Sequence, residues 1–225
     1  MDFVSFLDLG NKRFHNQRMS DPSSKLAHIS RSRGRPREFD MDQALDKAVR
    51  IFCERGYHAT SVCDLTHAMQ LASGSVYKAF KDKRSVFLAA LDRYKTVRDA
   101  QLRAAVGIGA TGRERLRLAL TFYADASHGA AGRQGCLVGG SAAELAIFDQ
   151  EVAQWVTAAL VRNEMYVGEL IRQGQEDGSI PPHVDGAATA RLMLCLIQGM
   201  RLVGKTGRSR DEMAVLVDIA MKTLI

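Results

Sequence analysis

Apolar residues recur at helical spacing through most of the chain. From Asp40 onward, Ala44, Leu45, Ala48, Val49, Phe52 and Cys53 fall on one face, and Gly56 closes the run. Asp40, with Gln43 three residues later, has the form of an N-cap and its capping-box partner. A second stripe of Val62, Leu65 and Met69 opens at Thr60 or Ser61, where Ser61 and Asp64 are again spaced as a capping pair. Gln70-Leu71-Ala72 breaks the pattern, and a third short helix over Ser73–Phe80 carries Val76, Tyr77 and Phe80. The spacing predicts further helices over Ser85–Val106, Arg113–Ser127, Cys136–Phe148, Glu151–Glu176, Ala187–Val203 and Arg210–Leu224. Glycine clusters at 107–109 and 129–135, and Asp177-Gly178 ahead of Pro181-Pro182, punctuate them. Residues 1–30 show no sustained period and read as a flexible extension.

Composition supports an all-helical class. The four prolines are Pro22, Pro36, Pro181 and Pro182, so residues 37–180 contain none, which disfavours a sandwich or barrel. An apolar fraction of 46% is that of a packed domain. Charge is uneven: residues 1–84 hold 15 basic and 10 acidic side chains, residues 85–225 hold 16 and 15. The surplus is densest at Arg31, Arg33, Arg35 and Arg37, an arm held extended by Pro36. It marks either a polyanion-binding front end or a solubilising tail. The four cysteines show no C-x-x-C pairing and the histidines no metal-site spacing, so no metal and no cofactor are expected. No run approaches 18 uninterrupted apolar residues and the N-terminus lacks a signal pattern, so a cytoplasmic protein without a membrane partner is expected.

Three short helices, the second and third separated by a three-residue turn, form the helix-turn-helix layout, in which the last helix enters the major groove. The stretch from Gly34 to Phe87 resembles the DNA-binding domain of TetR-family transcriptional regulators. The matching residues are Gly34-Arg35-Pro36-Arg37, Ala48 to Gly56-Tyr57, Thr60-Ser61-Val62, Gly74-Ser75-Val76-Tyr77 with Phe80, and Lys83. Gly135-Cys136-Leu137-Val138, with Glu144, is similar to the GCL segment of one subgroup, and Gln198 to Leu202 to its penultimate helix. The turn departs from the family pattern in carrying Gln70 and Ala72. Alanine caps poorly, so Ser73 is expected to take the N-cap role.

The resemblance implies three parts: an extension with its arm over 1–37, a helix-turn-helix domain over 38–84, and a helical effector-binding and dimerisation domain over 85–225. Arg33, Arg35 and Arg37 would reach the minor groove. Thr60, Ser61, Ser73, Gly74, Ser75, Tyr77, Lys78 and Lys83 would meet bases and phosphates. Tyr94, Phe122, Tyr123, Leu137, Trp155 and Tyr166 would line an effector cavity. Leu192, Leu196, Met200, Met213, Leu216, Val217 and Ala220 are stripes that serve either the chain's own core or a second copy. The expected partners are double-stranded operator DNA, a small-molecule effector and a second copy of the chain. The expected function is a ligand-released repressor.

Two rival chemistries are present in the sequence. Cys136 follows Arg133 at the start of a predicted helix, a setting that lowers a thiol pKa and would suit a redox or electrophile sensor. Cys53, Cys63 and Cys195 lie in apolar stripes and read as core. Gly199 to Thr206 matches G-x-x-x-x-G-K-[ST], the phosphate-loop pattern of nucleotide-driven enzymes. That motif works only between a strand and a helix, and a helical run precedes it here, so an enzyme is not expected.

Overall fold

The structure, a computed structural model, describes residues 40–225; the extension and the arm bearing Arg33, Arg35 and Arg37 lie outside the described residues. Asp40 caps α1 (Met41–Arg55), its carboxylate accepting from the Asp42 and Gln43 N–H groups. α2 (Val62–Met69) opens on the expected capping box, in which the Asp64 N–H donates to the Ser61 hydroxyl and the Ser61 N–H to the Asp64 carboxylate. α3 spans Ser73–Ala79, and its N-cap is Ala72, which gives no side-chain bond, rather than Ser73. The turn between α2 and α3 is made by Gln70 at φ 58°, the left-handed region that glycine occupies without strain. Gln70 Oε1 accepts from Lys47 Nζ at 2.6 Å, tying the turn to α1 and offsetting part of that cost.

The remaining elements are α4 (Lys83–Val106), α5 (Gly112–Asp125), α6 (Gly129–Gln134), α7 (Leu137–Glu144), α8 (Gln150–Glu176), α9 (Gly186–Val203), a 3₁₀ turn (Gly204–Thr206) and α10 (Arg210–Lys222). The described residues contain no strand. Two segments differ from the expectation. The helix foreseen over Cys136–Phe148 stops at Glu144, because the following turn leaves Ile147 and Phe148 exposed and frees Asp149 to cap α8. The glycine-rich run 129–135, foreseen as a break, contains α6. Gly132 serves close approach, since a Cβ there would stand 2.6 Å from the Ser127 carbonyl carbon; from the other side, one on Gly204 of the 3₁₀ turn would stand 2.2 Å from the Ser127 oxygen. Gly199 to Thr206 is the end of α9 and the 3₁₀ turn, so the phosphate-loop pattern has no loop to occupy.

Two buried clusters fill the described residues. One joins Phe52, Leu65, Met69, Val76, Phe87 and Leu91 of α1–α4 to Leu137 and Val138 of α7 and Val152 and Val156 of α8. The other joins the end of α4 and α5 to the later half of α8, α9 and α10. The boundary between the two clusters therefore falls partway along α4 and α8. By length and apolarity Gly186–Thr206 would suit a bilayer, but Met193, Ile197, Met200 and Arg201 are buried against neighbouring helices.

The stripes of α9 and α10 divide. Met200, Met213, Val217 and Ala220 are buried in the chain's own core and cannot meet a second copy, and Leu196 and Leu216 are partly buried against it. Leu192 is 51% exposed and shares the outer faces with Cys195, Leu202, Val215 and Ile219. Cys53 is buried as expected, whereas Cys63 and Cys195 are exposed.

The tightest helix crossing sets the second cluster. A Cβ on Gly112, at the start of α5, would lie 2.0 Å from the Gly174 backbone nitrogen of α8. Neither backbone can yield, so Gly112→Ala is expected to lower stability by about 3 kcal/mol, read as the shift in a urea unfolding midpoint.

Candidate functional site

The outward surface of α3 is polar and accessible. Ser73, Gly74 and Lys78 are exposed, Ser75 is half-buried and Tyr77 is 56% exposed, while Val76 packs inward. A Cβ on Gly74 would meet nothing within 4 Å. Five of the expected contact residues thus share one face. Thr60 does not join them: it is fully buried and its hydroxyl donates to the Gly56 carbonyl at 2.6 Å. Nor does Lys83, whose ammonium donates to the Tyr57 and Thr60 carbonyls at 3.0 Å each and lies 4.2 Å from the Tyr57 ring centroid. The Ser61 hydroxyl is held by Asp64 at 2.6 Å. These three residues build the corner between α1 and α2, which fixes the angle at which α3 is presented. Sequence spacing alone cannot separate an outward lysine from one folded under a turn.

That corner is gripped from behind by Glu144, the last residue of α7. Its carboxylate accepts from the Tyr57 N–H at 2.9 Å and the His58 N–H at 2.6 Å. Gly56, at φ 81°, is the only residue type that fits: a Cβ there would approach Glu144 Oε2 to 2.5 Å. Lys205 Nζ reaches the Cys53 carbonyl, 3.4 Å away, adding a second link from the 3₁₀ turn to α1.

Behind α7 lies a two-chambered cavity. An inner chamber of about 40 Å³ is lined by residues of α4, α5, α7, α8 and α9, among them Tyr94, Tyr123, Trp155, Arg98, Arg162 and Arg201. It shares Cys136, Val138, Gln198 and Arg201 with an outer chamber of about 540 Å³, lined also by Gly139, Ala142, Ala143, Leu160 and Leu202. Of the expected lining, Tyr94, Tyr123 and Trp155 are brought together here. Phe122, Leu137 and Tyr166 are not: Leu137 is buried in the first cluster, and Phe122 and Tyr166 pack against the second.

Arginines were the unexpected component. Arg201 is 6% exposed and donates to the Ala126 and Gly135 carbonyls. Arg98 lies over the Phe122 ring at 4.2 Å. An arginine inside an otherwise apolar helical stripe, as at 201, was the available signal. Tyr94 donates its hydroxyl to Cys136 Sγ at 3.4 Å. Burial raises the Tyr94 pKa, keeping it a donor. Burial also opposes ionisation of Cys136, but the Arg201 charge and hydrogen bonds from Tyr94, Gly139 and Val138 outweigh it and lower that thiol.

The chain is similar to known proteins. The family model "Bacterial regulatory proteins, tetR family" matches residues 44–90, and "Tetracyclin repressor-like, C-terminal domain" matches residues 112–219. The HTH-type transcriptional repressor ComR of Escherichia coli (strain K12) is 31% identical over 204 residues, covering 87% of this chain and 92% of that protein. The HTH-type transcriptional repressor DhaR of Mycobacterium sp. (strain GP1) is 24% identical, covering 80% and 90%. A cysteine-substituted form of the TetR family regulator CifR, complexed with 26bp double-strand operator DNA, superposes with a TM-score of 0.74 at 26% identity, covering 85% of this chain and all of that one.

The bundle is also tied to the body by Arg84, which holds Asp149 at 2.8 Å and Glu151 at 2.7 Å. Hydrogen bonds from Arg84 and from the Val152 N–H lower the Asp149 pKa to about 2. A carboxylate depressed on folding stabilises fully above its unfolded pKa and loses that contribution as pH falls through the folded value. Asp149→Asn keeps the cap acceptor but not the charge. Its melting temperature is therefore expected to lie below that of the native chain at pH 7 and to converge with it between pH 4 and pH 2, as followed by circular dichroism.

Proposed function

This chain belongs to the tetR family of bacterial regulatory proteins, and from that premise we propose that it is a ligand-released repressor that binds a near-palindromic operator as a homodimer. The observation that carries this reading is the Glu144 grip: one helix, α7, walls the cavity along its length and holds the corner that aims α3 with its last side chain. Each copy places Ser73, Gly74, Ser75, Tyr77 and Lys78 in a major groove, with half-sites about one helical turn apart. Arg33, Arg35 and Arg37 lie N-terminal to this bundle and follow the minor groove. A ligand that widens the outer chamber displaces α7, and Glu144 transmits the shift to Tyr57 and His58. Release requires only that the ligand bind the displaced form more tightly than the DNA-competent one.

The second copy docks on the outer faces of α9 and α10, where Leu192, Val215 and Ile219 are exposed. An isologous contact there sets the distance between the two α3 helices.

Two measurements test the reading. For DNA, a duplex selected by the purified protein from a random pool serves as the probe. Tyr77→Ala and Gly74→Ala are expected to weaken binding about tenfold or more by fluorescence anisotropy. Gly74→Ala should at the same time raise stability by about 0.5–1 kcal/mol, since it adds helix propensity and meets nothing in the fold. Undiminished affinity in both variants would remove α3 from the DNA. For assembly, light scattering should give twice the chain mass for the native protein. Leu192→Glu with Ile219→Glu should give one chain mass and weaker DNA binding. A native monomer, or a variant that remains dimeric, would overturn the placement of the interface.

A further inference from the structure

The two chambers differ in chemistry. Four cations, Lys95, Arg98, Arg162 and Arg201, face the inner chamber against a single carboxylate, Asp99. Arg162 Nε lies 3.7 Å from Asp99 Oδ2, an ion pair too long for a hydrogen bond. Arg98 Nη2 and Arg162 Nε are both buried without a hydrogen-bond partner among the described residues. Arg201 donates to the Ala126 and Gly135 carbonyls, and its charge favours ionisation of the neighbouring Cys136 thiol. A buried guanidinium donor without an acceptor is unfavourable, and a chamber lined by more cations than carboxylates favours an anion. The outer chamber is the opposite: Val138, Ala142, Ala143, Leu160 and Leu202 give it an apolar wall, and its volume lies within the range of small-molecule sites.

We propose that the ligand of this cavity is an organic carboxylate with an apolar body. The carboxylate enters the inner chamber and accepts one charge-assisted hydrogen bond from Arg98 Nη2 and one from Arg162 Nε. The apolar body runs past Arg201 into the outer chamber, against α7. A carboxylate suits the inner chamber better than a larger tetrahedral anion because that space is small. This assignment rests on the reading of the cavity as the effector site and names the chemical class of the effector.

Trp155 is the single tryptophan of the chain and lines the inner chamber, so its fluorescence reports occupancy directly. The full chain is titrated with decanoate and 4-phenylbutyrate and with the matched alcohols, 1-decanol and 4-phenylbutanol. At least one acid is expected to bind about tenfold or more tighter than its alcohol. Arg98→Met and Arg162→Met should each cut that preference several-fold without lowering the melting temperature. Both keep the aliphatic length of the side chain, and Arg201 is left intact because it ties two backbone segments together. Equal affinity for acid and alcohol, no acid binding up to about 1 mM, or a preference that survives the double variant Arg98→Met with Arg162→Met would each overturn the proposal. The same compounds are added to the complex with the selected duplex. Release of DNA by an alcohol as effective as its acid overturns the carboxylate assignment and leaves the effector reading standing. Arginine-dependent acid binding without DNA release supports the carboxylate site and overturns the effector reading.

Discussion

A carboxylate at the end of a short helix governs how the DNA-facing bundle is held. Glu144 accepts two backbone N–H groups from the stretch that follows α1, and charge-assisted bonds of this kind are stronger than neutral ones. The stretch has no regular structure to supply those acceptors itself. Around the grip, Lys83 caps the Tyr57 and Thr60 carbonyls, the Thr60 hydroxyl closes on Gly56, and the Tyr57 ring packs on Phe52 and Phe87. These bonds fix the corner, and α2 leaves it in one direction. The angle of α3 follows from that direction through the Gln70 turn.

The helices and their caps were legible because they are local. Asp40 and the Ser61–Asp64 box are read from residues within one turn, and the apolar stripes report which face is inward. What escaped was set by distant partners. Thr60 and Lys83 carry side chains that would suit phosphate contact, and only the fold shows them turned under the corner. Four residues of the α9 and α10 stripes face the chain's own core, since a stripe does not reveal whose core it joins. The 129–135 glycines read as punctuation, whereas Gly132 lets α6 approach the Ser127 and Gly204 backbone. In the cavity, the aromatic residues at 94, 123 and 155 were found by type and position. The arginines were overlooked because single charged residues on long helices ordinarily face water.

The same economy of partners accounts for the cavity's polarity. Helices α4, α8 and α9 each contribute one guanidinium to a common interior, and each is anchored differently: Arg98 by an aromatic face, Arg162 by an ion pair, Arg201 by carbonyls. Three separate anchors hold three like charges near one another in the fold.

The division of the core has a consequence for how such a protein can change over time. Because α4 and α8 pass from one hydrophobic cluster into the other, Phe52 and Phe87 share their packing with Val152 and Val156 rather than with residues of the first bundle alone. The reading head is therefore not a cassette. Exchanging everything before residue 84 with a relative would also replace the backbone partners of Glu144 and part of the cluster that holds Val152 and Val156, so new DNA preferences are reached more readily by substitutions on the open face of α3 than by shuffling of modules.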